Sequence, residues 1–324
     1  MDRTACHGSP CGSVCHGWKR ALVLALALGL AACTATRGPA DRPIEASGAG
    51  IAVLVSGEEL AFQGVARELL RQAGPGAQRH NLGDATGGQA ALIRKLNGPE
   101  VSQVIAVGLP AARMARRLTG KRVVFCQVFN YQEAGLVSPT MKGVSAMPPL
   151  AEPFRLWKGI DPRLARIGVI TGPQLAPLVR EARAAARAAG FEIEHVEVHS
   201  DKETLYAFQR LLPRIQGLWL VPDNRVLSAA VIRDVLSLAV REGRQVLGFR
   251  HELLALGALL SAESDPADVA AQALARARAR PEGSAVPGSA LTALARADVR
   301  INRVVLHSLG LVLPAGEAWR ANAH

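Results

Sequence analysis

From residue 50 onward, short apolar runs alternate with stretches in which apolar residues recur every three or four positions. The first pattern reads as buried strand and the second as amphipathic helix. Ile51–Val55 is a strand and Glu58–Gln72 a helix. Strands at Ala77–Leu82, Val104–Val107, Arg122–Val128 and Gly143–Ala146 follow, with helices at Gly88–Leu96 and Ala111–Leu118. The pattern then restarts. Pro149–Lys158 is helical, Arg166–Thr171 is a strand, and Gln174–Ala189 is a long helix closed by Gly190, a residue suited to ending helices. Strands at Phe191–Val198, Gly217–Val221, Gln245–Phe249 and Ala258–Ser261 alternate with helices at Lys202–Leu212, Val226–Arg241 and His251–Leu256. Pro266–Arg280 is a helix with proline in its first turn. Residues 280–290 read as a loop, Val299–Ile301 as a short strand and Asn302–Leu309 as a final helix.

Strands alternating with helices of this length build βαβ units around parallel sheets. Two successive series predict an α/β protein of two doubly wound parallel-sheet lobes with a ligand cleft between them. In such sheets ligands bind beyond the carboxyl ends of the strands. Facing lobes make a cleft that closes by hinge motion. The expected division is an N-terminal lobe at 50–147, a C-terminal lobe at 148–257, a return segment to the first lobe at 258–283, and a segment at 284–324 crossing back to the second.

The first 49 residues follow another logic. Lys19 and Arg20 precede a ten-residue apolar run, Ala21 to Leu30, and small residues follow it. A basic flank, a short apolar core and a small-residue cut site describe an export signal. The core is too short to span a bilayer, which takes about 20 apolar residues. Leu30-Ala31-Ala32-Cys33 resembles a bacterial lipobox, which implies cleavage before Cys33 and lipidation of its thiol. Residues 1–32 are then the signal and 33–49, small and polar with two prolines, a tether. Thr34 rather than Asp follows the cysteine, which by the same resemblance favours the outer membrane.

Charge and cysteines are reread in that light. The chain has 38 Lys plus Arg against 27 Asp plus Glu, a net charge of +11. Cleavage removes Arg3, Lys19, Arg20 and Asp2, leaving 292 residues at +9. An envelope protein tethered outside the cytoplasm has no routine access to nucleic acid, so the charge is assigned to solvated helix faces. Attraction to anionic headgroups or acidic ligands stays open. Cys6, Cys11 and Cys15 leave with the signal, and the Cys11, Cys15, His16 cluster has one residue too many between its thiols for haem attachment. With Cys33 lipidated, Cys126 is alone in an apolar run and reads as an inert buried thiol.

Several segments carry a resemblance. Ile105-Ala106-Val107-Gly108-Leu109-Pro110-Ala111-Ala112, Val123-Val124-Phe125 with Gly135-Leu136-Val137, Arg166-Ile167-Gly168-Val169-Ile170, Leu220-Val221-Pro222-Asp223-Asn224, Gly257-Ala258-Leu259-Leu260-Ser261, and Ile301-Asn302 through Leu309-Gly310-Leu311 and Pro314 occur in that order. Together they resemble the substrate-binding lipoproteins of ABC transporters with the type 1 periplasmic-binding fold, in particular the tryptophan/tyrosine-type group, over residues 50 to 315. The resemblance implies a small-molecule ligand, an ABC permease and ATPase as partner, a membrane-tethered monomer in the cell envelope, and no cofactor. The sequence departs from that pattern at Leu109, at Asn130-Tyr131 and at Glu263-Ser264, positions expected at the cleft, so ligand identity stays open.

Strand ends supply the candidate contacts. The first lobe offers Ser56, Gly57, Gly108, Asn130 and Tyr131. The second offers Thr171, Gly172, Asp223, Asn224, Arg250 and, at the return, Asp265. Ser56, Asp223 and Asp265 read equally as helix N-caps. Tyr131 reads equally as a packed loop residue, Arg250 as a solvated surface residue, and His251 as a cap or surface histidine. An acid facing a base suits a zwitterion such as an amino acid: Asp223 for its ammonium, Arg250 for its carboxylate. There is no Gly-x-Ser-x-Gly elbow and no phosphate loop. No enzyme and no metal site are therefore expected. The alternative to an importer component is a ligand-binding sensor or accessory lipoprotein acting with a receptor, a kinase or an outer-membrane transporter. Neighbouring genes for a permease and ATPase would separate the two.

Overall fold

The computed structural model describes residues 50–84, 88–279 and 289–313. All lie in one compact unit, Ala46–His324. The signal, the tether and Cys33 fall outside the described residues.

The first lobe holds strands β1 (Gly50–Val55), β2 (Ala77–Asn81), β3 (Val101–Val107), β4 (Arg122–Cys126) and β5 (Met141–Val144), with helices α1 (Leu60–Ala73), α2 (Gly88–Leu96) and α3 (Leu109–Ala115). The second holds α4 (Ala151–Ile160), β6 (Arg166–Thr171), α5 (Ala176–Ala189), β7 (Glu192–Glu197), α6 (Asp201–Leu211), β8 (Gly217–Trp219), α7 (Ala229–Arg241), β9 (Gln245–Gly248), α8 (Glu252–Ala255) and β10 (Leu260–Ser264). Then come α9 (Pro266–Arg278), β11 (Leu291–Thr292), β12 (Ala297–Ile301) and α10 (Arg303–Ser308). The sheet orders are β11-β5-β4-β3-β1-β2 and β12-β10-β9-β8-β6-β7. Every pairing is parallel except β12 against β10.

Both faces of each sheet are covered, which explains the unbroken apolar strand runs. In β1, Ala52 and Leu54 face the core under α2 and α3, while Val53 and Val55 face that under α1 and α9. The second lobe repeats this. Phe154, Trp157 and Phe191 pack beneath α4, α5 and α10, and Phe208, Val235 and Leu253 beneath α6, α7 and α8. Trp157 is fully buried and donates its indole N–H to Gln245 Oε1 at 2.6 Å.

The chain crosses between lobes three times, at 145–150, near 265 and at 293–296. Two assignments made from sequence are corrected. Residues 258–264 do not begin the return segment: β10 stays in the second sheet, bonded to β9 and β12, and the return starts with α9. Residues 291–292, assigned to the segment crossing back, stay in the first lobe, where β11 extends the sheet beside β5. A two-residue strand carries no periodicity to read, and β10 is short enough to pass for the end of one lobe or the start of a return. Among the described residues no helix is long and apolar enough to cross a membrane.

Candidate functional site

The carboxyl ends of both sheets face the crossovers, and a cavity of about 250 Å³ lies between them. Its apolar walls include Phe62 from α1, Phe129 after β4 and Phe249 after β9. Its charged groups are Arg250 from the second lobe, Glu263 from β10 and Glu59 from the first turn before α1. Arg250 is exposed, lies over the Phe249 ring at 5.4 Å and makes no ion pair among the described residues.

Gln127 shapes the floor. It follows β4 directly and takes φ +56°, a left-handed conformation costly for a residue with a side chain. Such strain persists where surrounding contacts enforce it, commonly at binding sites. Here the Gln127 amide donates to Ser264 Oγ at 2.8 Å, tying the first lobe to the second crossover. The kink ends β4 at Cys126, two residues earlier than the apolar run predicts. Cys126 itself is buried, and burial pushes its thiol up to about 12, so it stays protonated.

The sequence-derived candidates divide. Arg250 lines the cavity. Gly108 supports its wall: with φ +87° it packs so closely that a Cβ would sit 2.6 Å from Ser56 Oγ and 2.9 Å from the Phe62 ring. Ser56 donates to the Val107 carbonyl at 2.8 Å and accepts from the Ala111 N–H at 2.9 Å. It therefore pins the start of α3 rather than capping α1, because the loop after β1 turns toward the neighbouring strand's helix. Gly57 accepts from the Gln63 amide and does not line the cavity. Thr171 is buried against His195, its hydroxyl 2.8 Å from Nε2, locking β6 to β7. Asn130 turns the loop after β4, its carbonyl accepting from the Ala134 N–H. Tyr131 packs on Phe125 at 5.9 Å, and burial pushes its phenol up. Asn224 is exposed outside the cavity. Asp265 caps α9 through the Ala267 N–H at 2.8 Å and pairs with Arg296 at 3.3 Å.

Asp223 is corrected from ligand partner to internal brace. Its side chain is fully buried. Oδ1 accepts from Arg225 Nε at 2.7 Å, and Oδ2 accepts from Arg225 Nη2 at 2.7 Å and from the Gly172 N–H at 2.9 Å. Burial alone would raise this carboxyl, but the Arg225 and Gly172 hydrogen bonds outweigh it and hold the pKa below the ordinary value. Gly172 thus serves the brace, since a Cβ there would meet Asp223 Oδ2 at 2.7 Å. Braced in this way, Arg225 reaches across to Glu133 in the loop after β4, at 3.3 Å. That ion pair joins the lips of the two lobes.

His251 stands at the N-cap position of α8, but its side chain makes no capping hydrogen bond and is largely buried. Nδ1 lies 2.7 Å from Ser261 Oγ and Nε2 lies 3.2 Å from Asp298 Oδ2. The hydrogen bond from His251 lowers Asp298 to about 2. A carboxylate depressed on folding stabilises the fold above its unfolded pKa of about 4 and loses that contribution as pH falls through the folded value. The stability of the chain is therefore expected to fall between pH 4 and pH 2. Asp298→Asn should flatten that slope in acid titrations followed by circular dichroism.

Sequence reasoning missed Glu59, Phe62, Gln127, Phe129, Phe249 and Glu263. Phe62 and Phe249 fell inside a predicted helix and a predicted strand, Phe129 just past the end of another, and Gln127 was absorbed into a strand. Glu263 had only its departure from the family pattern to mark it. Among the described residues no three His, Cys, Asp or Glu side chains are grouped to hold a metal ion.

No family model matches this sequence, and none of the curated proteins is similar to it. Solved structures share its fold. One is an ABC domain in complex with L-Trp from Streptococcus pneumonia, 19% identical, covering 82% of this chain and 96% of that one, TM-score 0.56. Another is a ligand-free, open substrate-binding protein with adhesive properties from Clostridium difficile, 18% identical, covering 84% and 98%, TM-score 0.63. A third is a conserved domain protein from Vibrio cholerae, 19% identical, covering 84% and 98%, TM-score 0.56. What these structures share with this chain is the fold, two α/β lobes on parallel sheets.

Proposed function

We propose that this chain is the solute-binding lipoprotein of an ABC importer. It captures an amino acid or related zwitterion between its lobes and delivers it to a permease and ATPase. One observation carries the reading: a single cavity combines a cation with no ion pair among the described residues, two carboxylates and three phenylalanine rings. Arg250 suits a ligand carboxylate, Glu59 and Glu263 an ammonium, and the rings an apolar or aromatic side chain. The L-Trp held by the Streptococcus neighbour is a zwitterion of that class. The lipobox resemblance of Leu30-Ala31-Ala32-Cys33 supports a protein on the envelope, anchored through Cys33 and facing the periplasm, and Thr34 favours the outer membrane. The protein acts by binding and does no chemistry on its ligand.

The test is thermal melting of the chain from Thr34 against amino acids, sugars, nucleosides and anions. A ligand at 100 times its Kd adds about 2.7 kcal/mol, a shift of several degrees for a protein of this size. A shift confined to amino acids or related zwitterions is the expected result. Shifts with sugars, nucleosides or simple anions alone would overturn the ligand class.

A further inference from the structure

A second cavity, of about 380 Å³, lies on the other flank of the first crossover. Phe129, Ala146, Met147 and Pro148 line both cavities, so this segment is a shared wall. Beyond it the two differ in every respect that decides a ligand. The larger one draws Val128 and Tyr131 from the loop after β4, Leu291 and Leu294 from the stretch at β11, and Leu175 and Leu178 from the start of α5. Among the described residues its lining has no lysine or arginine, and Glu181 on the α5 side is the one charged group. Gln174 on the same side holds φ +69°. Gln127 and Gln174 are the two non-glycine residues with positive φ among those described, and each lines one of the two cavities.

We propose that this cavity is a second binding site, for a neutral molecule built on one or two apolar ring systems. Its volume falls in the range of small-molecule sites, which are mostly apolar with a few polar groups at the mouth. Among the described lining residues there is one carboxylate and no cation to pair with the carboxylate of the anionic or zwitterionic solutes that suit the cleft beside it. Both lobes and two crossovers contribute to its walls. A molecule lodged there holds the lobes in the arrangement that fits it, and shifts their equilibrium by its difference in affinity for the two arrangements. The site is independent of the cleft reading, since none of the three charged cleft residues touches it.

The neutral fluorophore N-phenyl-1-naphthylamine is the probe, titrated into the purified chain and followed by its emission. One saturable site per chain is expected. Leu178→Trp and Ala293→Trp fill the cavity from α5 and from the third crossover, and each should weaken the probe at least ten-fold. Arg250→Ala, in the cleft, should change it less than two-fold. Melting curves verify that each variant folds, and either filling variant suffices if the other does not. Emission that never saturates, or affinity unchanged in a folded filling variant, overturns the proposal. So does a loss in Arg250→Ala as large as in the filling variants, because it places the probe in the cleft.

Discussion

Arg250→Ala is expected to weaken binding of a carboxylate-bearing zwitterion by about ten- to a hundred-fold. Hydrogen bonds to charged groups contribute about 1.5–3 kcal/mol, and each 1.4 kcal/mol is a factor of ten in Kd. The residue is exposed and forms no ion pair among the described residues, so its loss costs the empty fold the contact over the Phe249 ring, about 0.5–1 kcal/mol at such a site. Calorimetric titration should therefore show a large change in Kd beside a small change in melting temperature. Arg250→Lys keeps the charge but loses the planar fork, and should fall between the two. Unchanged affinity in Arg250→Ala would mean that the carboxylate sits elsewhere and that the cavity is not the ligand site.

Asp223→Ala is expected to cost the fold about 3 kcal/mol. Removing one partner of a buried ion pair is destabilising by about 3–5 kcal/mol, because the other charge is left uncompensated. The lower end applies, since the Arg225 side chain is 22% exposed and can draw on water. The same change strands the buried Gly172 N–H and frees Arg225 from the geometry that reaches Glu133. Denaturant unfolding should show the loss directly. A Tm within a degree or two of the parent would instead mean that Asp223 is held loosely enough to serve a ligand. Asn130→Ala, in a residue that offers only its backbone carbonyl to the loop, should leave binding nearly intact.

The alternation of apolar runs and helical spacing was enough to order the strands and helices and to place two lobes in succession. That information is local: a strand buried on both faces must be apolar throughout, as Val53 and Leu54 illustrate by serving opposite cores. Strand ends were legible to within about three residues, and with them the neighbourhood of the candidate cavity. Which side chain at each end meets a ligand was not. Asp223 looked like an ammonium partner until Arg225, two residues on, proved to occupy both its oxygens. Ser56 looked like a cap for its own helix until its hydroxyl was found bridging to α3. Gln127 carried no signal, because its positive φ comes from contacts to a crossover 137 residues away. Phe62, Phe129 and Phe249 share one wall only because three distant elements converge there. Spacing along the chain reports which face a residue occupies. Which partner it meets there depends on contacts between segments far apart in the sequence, and those exist only in the folded molecule.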